Sequence, residues 1–157
     1  MPVISGGVVT QPGKLLFQTI LFAETAAGTV FTGSVTVPGG AFLVDVIVHG
    51  IVLWSADTSA NLKVGDAVDD DALLTNVDLK ATDLLAAEGL SISGGTALAG
   101  GKIGADVANS QWNRRYLATE RVISGIVTRV GSSGAAGRTL MTVIYTDPAT
   151  VAAATVT

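Results

Sequence analysis

Apolar and polar positions alternate along much of this chain with a period of two. From Leu15 to Glu24, Leu15, Phe17, Thr19 and Leu21 share one parity, while Leu16, Gln18, Ile20 and Phe22 share the other. A turn over Thr25 to Gly28 leads to a second run, residues 29–38. There Val30, Thr32, Ser34 and Thr36 oppose Phe31, Val35 and Val37, and Pro38-Gly39-Gly40 closes the run. Side chains of an extended chain point alternately to opposite faces, so this pattern with Gly and Pro punctuation predicts β-strands.

The stretch from Ala41 to Leu79 organises the rest. Phe42, Val44, Val46, Val48, Val52 and Trp54 stand on one parity and Leu43, Ile47, Ile51 and Leu53 on the other, with Asp45 and His49 among them. So many β-branched residues disfavour a helix. They predict a central strand buried on both faces and bent at Gly50. The chain breaks over residues 55–61, resumes as Leu62-Lys63-Val64, and turns at Gly65-Asp66 into an acidic loop holding Asp69, Asp70 and Asp71.

Residues 73–83 fit no single period. Thr82 to Glu88 predicts one helical turn closed by Gly89, Leu90 to Ile92 a short strand, and residues 93–104 a Gly-rich loop. Residues 111–119, with Trp112, Arg114, Arg115 and Tyr116, read as a sheet edge. Residues 120–130 and 138–147 flank seven small residues and predict a hairpin. The sum is an all-β fold, a β-sandwich or jelly roll with at most one short helical turn. Residues 1–14 form an extended N-terminal arm and 15–157 a single domain. Strands apolar on both parities predict that one face meets the core and the other a partner subunit.

Composition supports a covered surface. Of 157 residues, 48% are apolar and 14% charged, against about 25% charged in an average soluble protein. The net charge of −4 argues against nucleic acid and anionic membrane as partners. With no cysteine there is no disulfide or thiolate chemistry. The longest apolar run, Phe42 to Trp54, is 13 residues, short of the roughly 20 that span a bilayer. The opening residues lack the basic and apolar regions of a secretory signal, so a soluble protein is expected.

Searches for catalytic sets fail. His49, the sole histidine, has Asp45 on its own parity but four residues away, too far along a strand to touch, and reads as a structural histidine. No Ser stands in a Gly-x-Ser-x-Gly elbow. Residues 94–103 miss the phosphate-loop register, with Thr96 where its first Gly belongs and Ile103 where its Ser/Thr belongs. The acidic loop has carboxylates suited to Ca²⁺ but no EF-hand spacing, so a solvated turn is the simpler reading.

Charge is unevenly placed. From Asp57 to Glu88, eight acidic residues face only Lys63 and Lys80; from Lys102 to Asp147, six basic residues face three acidic ones. Such opposite patches suit head-to-tail assembly as well as they suit ordinary surface scatter. Trp112, Arg114, Arg115 and Tyr116, with Asp69, Asp70 and Asp71, are the candidate subunit contacts.

Val52-Leu53-Trp54-Ser55, then Asn61 to Asp66 with its Asp run, then Tyr116-Leu117-Ala118 and the closing Thr142 to Thr146, resemble the head decoration, or capsid cement, proteins of tailed bacteriophages. The resemblance spans roughly residues 40–146. It implies a jelly-roll-like sandwich, a homo-oligomer with a trimer favoured. Such a protein lies on the capsid exterior and clamps neighbouring major capsid protein subunits, here through residues 1–14. It implies no catalytic residue, and no metal or cofactor is expected. Tail and fibre proteins reuse similar sandwiches, so a receptor- or carbohydrate-binding module, with Ca²⁺ at the acidic loop, is the alternative.

Overall fold

The computed structural model describes residues 14–85, 90–93, 102–103, 115–131 and 134–148. In chain order these form β1 (Leu15–Ala23), β2 (Val30–Val37), β3 (Leu43–Val52), β4 (Ser59–Gly65), β5 (Leu74–Asp78), a 3₁₀ turn (Thr82–Leu85), β6 (Leu90–Ser91), β7 (Lys102–Ile103), β8 (Arg121–Val130) and β9 (Arg138–Thr146). The fold is a β-sandwich. One sheet has the order β1-β9-β3-β6 and the other β2-β8-β4-β5-β7.

With the two-residue β7 set aside, the pairings nest: β1 with β9, β2 with β8, β3 with β6, β4 with β5, all antiparallel. This is the pairing of one long ribbon folded over on itself. Its folded halves are joined by β9 to β3 and β8 to β4. The result is jelly-roll topology.

Period-two residues meet in the core. Phe22, Val46, Val48, Met141 and Val143 of the first sheet pack against Val35, Leu62, Val64, Ile123 and Val127 of the second. Gly33 and Gly125 are cross-strand partners. A Cβ on Gly125 would lie 2.7 Å from the Phe22 ring and 2.9 Å from Met141 Sδ. The missing side chains therefore make the slot that Phe22 fills.

Several expectations change. Residues 120–130 and 138–147 are strands but not a hairpin, because β8 and β9 belong to different sheets. Each already has both edges occupied, β8 by β2 and β4, β9 by β1 and β3. The connector instead crosses the sandwich. β3 bends with a register shift between Gly50 and Val52 as its glycine predicts. It is buried on one face only: Ile47 and His49 are half-buried on the other, and Ile51 and Val52 are exposed. β4 is longer than Leu62-Lys63-Val64, and Lys102–Ile103 is a strand paired with β5 rather than loop. The expected arm (residues 1–13 of it), Gly89 and the rest of the Gly-rich loop lie outside the described residues.

Candidate functional site

In an antiparallel ladder, directly opposed residues share a face. The registers therefore lay out the outer surface of the first sheet in rows: Phe17, Ile144 and Asp45; Thr19, Thr142, Ile47 and Ser91; Leu21, Leu140 and His49; Ala23, Arg138 and Val52. Leu15, Phe17 and Leu21 are 45%, 63% and 53% exposed. Large apolar side chains are thus exposed along its β1 flank, beside polar positions at Asp45, Thr142, Ser91, His49 and Arg138. The corresponding rows of the second sheet carry Thr32, Ser34, Thr36, Ser124, Thr128, Asn61 and Lys63, with Val30, Val122, Ile126 and Val130 among them, so hydroxyl, amide and ammonium groups there outnumber small aliphatic ones. The two outer faces differ in degree, and the first, with the larger exposed apolar side chains of Leu15, Phe17 and Leu21, is the candidate docking face.

The acidic corner joins β4 to β5. Asp66 caps the turn, its Oδ1 accepting the N–H of Val68 at 2.9 Å and of Asp69 at 3.3 Å. The Asp69 carbonyl folds back so tightly that a Cβ on Gly65 would stand 2.1 Å from it. Carboxylate oxygens of Asp69, Asp70 and Asp71 lie within 4.8 Å of one another. Asp70 bridges to Lys63 Nζ at 2.5 Å. A hydrogen bond with the Asp69 side chain, burial, and the charges of Asp69 and Asp70 push the Asp71 carboxyl above its ordinary value, with Lys63 opposing. Ca²⁺ takes six to eight oxygens; this corner brings three side chains together and commits one of them to a lysine. The adjoining pocket, lined by Asn61, Lys63, Asp71, Thr75 and Asn76, holds about 180 Å³. That is smaller than the roughly 300–1,000 Å³ of small-molecule sites.

The basic residues are not where the charge pattern suggested. Arg115 is 3% exposed. Its guanidinium donates to the carbonyl of Val44 and to Ser93 Oγ, tying the bend after β6 to β3. Burial lowers its pKa, with Asp45 pulling the other way. Asp45 is itself engaged by Ser91 Oγ and the Val46 N–H. Arg121 donates to the Arg115 carbonyl at 3.0 Å, and Arg129 to the Thr25 carbonyl at 2.7 Å; both are buried. Carbonyl oxygens capture these guanidiniums, so among the described residues the stretch from Lys102 to Asp147 forms no basic surface patch. Tyr116 is 58% exposed beside its bridge to Phe42. Trp112 and Arg114 lie outside the described residues.

One buried cluster had no signal in the pattern. Glu24, at the end of β1, accepts at Oε2 from Ser55 N–H (3.0 Å), Ser55 Oγ–H (2.8 Å) and Gly137 N–H (3.1 Å). Its Oε1 lies 3.9 Å from Arg129 Nη1. Burial pushes this carboxyl up, but the hydrogen bonds and the Arg129 charge outweigh it and hold the pKa below the ordinary value. Next to it, Trp54 Nε1–H donates to Thr139 Oγ1 at 2.9 Å, and the Trp54 ring meets Phe31 edge-on at 5.1 Å. The cluster pins the crossing connector to both sheets. Its role is architectural.

No family model matches the chain, and no curated protein does. Among solved structures, the chain is similar to one in the "Acidic stable capsid structure of Helicobacter pylori bacteriophage KHP30". The TM-score is 0.52 at 14% identity, over 85% of this chain and 88% of that one. At that identity the likeness is one of fold.

Proposed function

We propose that this is a non-enzymatic virion structural protein that decorates a bacteriophage capsid and stabilises it by binding across the seams between major capsid protein subunits. The observation that carries the reading is the near full-length fold likeness to a chain of a phage capsid structure. The outer face built on β1, β9 and β3, with its exposed Leu15, Phe17 and Leu21, supplies a surface to be covered. The protein sits on the capsid exterior as a homo-oligomer, with the trimer that the sequence resemblance implies. Residues 1–14 reach a neighbouring subunit. Of the sequence-derived contacts, Tyr116 and Asp69 to Asp71 keep surface available for this role, whereas the Arg115 guanidinium is spent inside the fold.

Mixing purified protein with undecorated capsids tests the reading. Co-sedimentation and a raised capsid disruption temperature are expected. Absence of both would reject the proposal. The acidic corner motivates a second reading, a Ca²⁺-assisted receptor- or carbohydrate-binding module of a tail. There a chelator lowers the melting temperature and added Ca²⁺ raises it; under the decoration reading neither does.

A further inference from the structure

We infer that the free edge of β1 is a self-pairing site, through which two copies of this chain join antiparallel, β1 against β1, about a two-fold axis beside Thr19. Among the described residues β1 is the terminal strand of its sheet. Its nine residues pair with β9 in an unbroken register from Leu15 to Ala23, with no bulge to twist the outer edge away. Neither a charge nor a proline interrupts those nine residues. Natural sheets blunt an edge with such devices. This edge has none. β2, the terminal strand of the other sheet on the same flank, likewise lacks charge, proline and bulge, but Val30 is its one large exposed apolar residue, the rest of that parity being Thr32, Ser34 and Thr36 with Gly33 between them; β6 and β7 are two residues long.

The hydrogen-bond phase decides which groups are available. Glu24 N–H donates to the Gly137 carbonyl, and Asp147 N–H donates to the Lys14 carbonyl. Even-numbered residues of β1 are therefore the ones bonded to β9, because bonded and non-bonded pairs alternate in an antiparallel ladder. The N–H and C=O groups of Leu15, Phe17, Thr19, Leu21 and Ala23 point to the open edge. Centring two copies on Thr19 sets Thr19 opposite Thr19, Phe17 opposite Leu21, and Leu15 opposite Ala23. Every outward donor then faces an acceptor on a residue of the same odd set. The same register sets Lys14 opposite position 24 of the other copy, where the Glu24 carboxylate is turned into the fold, so no like charges meet.

The side chains agree with the backbone. Leu15, Phe17 and Leu21 are the exposed apolar residues of β1, and pairing joins them to their copies in one continuous outer face of an extended sheet. Strand pairing alone covers less than the roughly 800 Å² per partner of a standard stable interface. A weak, concentration-dependent association follows. It links copies pairwise, a contact distinct from any three-fold one, and it holds whether or not the protein sits on a capsid.

Analytical ultracentrifugation of the full chain from micromolar to millimolar concentration tests this, with amide hydrogen exchange read alongside. The smallest species should double in mass with rising concentration, and the amides of Phe17, Thr19 and Leu21 should become protected in step. Thr19→Lys sets two ammonium groups against each other across the axis and should weaken pairing by about tenfold; Thr19→Glu should do the same, and an equal mixture of the two should restore it. Thr19 is exposed and its side chain makes only a surface hydrogen bond to Thr142, so these variants keep the fold, and melting close to that of wild type checks that. A wild-type mass that never doubles, or a doubling indifferent to both charged variants, overturns the proposal. Pairing that emerges only after residues 1–13 are deleted also overturns it, by giving the edge to the chain's own leading segment.

Discussion

Replacing Glu24 by Gln removes one charge and almost no volume from a site where the carboxylate is 1% exposed. Gln keeps an acceptor for Ser55, yet it turns three charge-assisted hydrogen bonds into neutral ones and leaves the Arg129 guanidinium without its carboxylate. Breaking a buried pair by removing one partner costs about 3–5 kcal/mol. The 3.9 Å separation is loose and the isostere retains some bonding, so the lower end, about 3 kcal/mol, is expected. In a domain of this length that lowers Tm by roughly 6–12 °C. Urea unfolding should show the midpoint falling with an unchanged slope.

The pH dependence adds an independent check. The folded-state pKa of Glu24 lies below its ordinary value of 4.5. The stabilisation is therefore complete above that ordinary value and lost as pH falls through the folded one. Wild type should lose stability across that acidic window, and Glu24→Gln should lose less. Arg129→Met in the same background should cost less than it does alone. A loss below about 1 kcal/mol for Glu24→Gln, or an unchanged acid limb, would refute the assignment of the carboxylate as the pin of the crossing connector.

Three further outcomes follow from the same geometry. Gly125→Ala puts a methyl group against Phe22 and Met141 and should cost about 1–3 kcal/mol by denaturant titration. Arg115→Ala strips the donors from the Val44 carbonyl and Ser93. It should destabilise the isolated protein by about 2 kcal/mol, seen as a lower melting temperature before any partner is added. Asp71→Asn relieves repulsion in the acidic corner, where the carboxyl is held above its ordinary value. Near neutral pH it should leave stability unchanged or raise it by a few tenths of a kcal/mol in calorimetry, the gain vanishing as pH falls and the wild-type carboxyl takes up its proton.

Much of the architecture was legible. The alternation in residues 15–24 and 29–38 placed β1 and β2 to within a residue or two, and Gly50 marked the bend of β3. Which parity of β1 faces outward was not legible, because Leu15, Phe17 and Leu21 are as apolar as Leu16, Ile20 and Phe22; the packing of Phe22 into the core decided it. β4 and β5 were less legible, because Leu74–Asp78 is short and carries Asn76 in the left-handed region, φ 55°. The arginines misled outright: a charge count assumes solvent, whereas Arg115, Arg121 and Arg129 spend their donors on backbone carbonyls inside the fold.

The primary structure alone settled that the chain is built of strands, where most of them run, and which side chains share a face. Those properties depend on neighbours two residues apart. Which strands pair was decided only in three dimensions. Two strands seven residues apart went to opposite sheets, the first strand met the last, and a glutamate found its arginine 105 positions away. Pairing is chosen by which edges remain open and which apolar faces can be buried together, and neither is a property of any local segment.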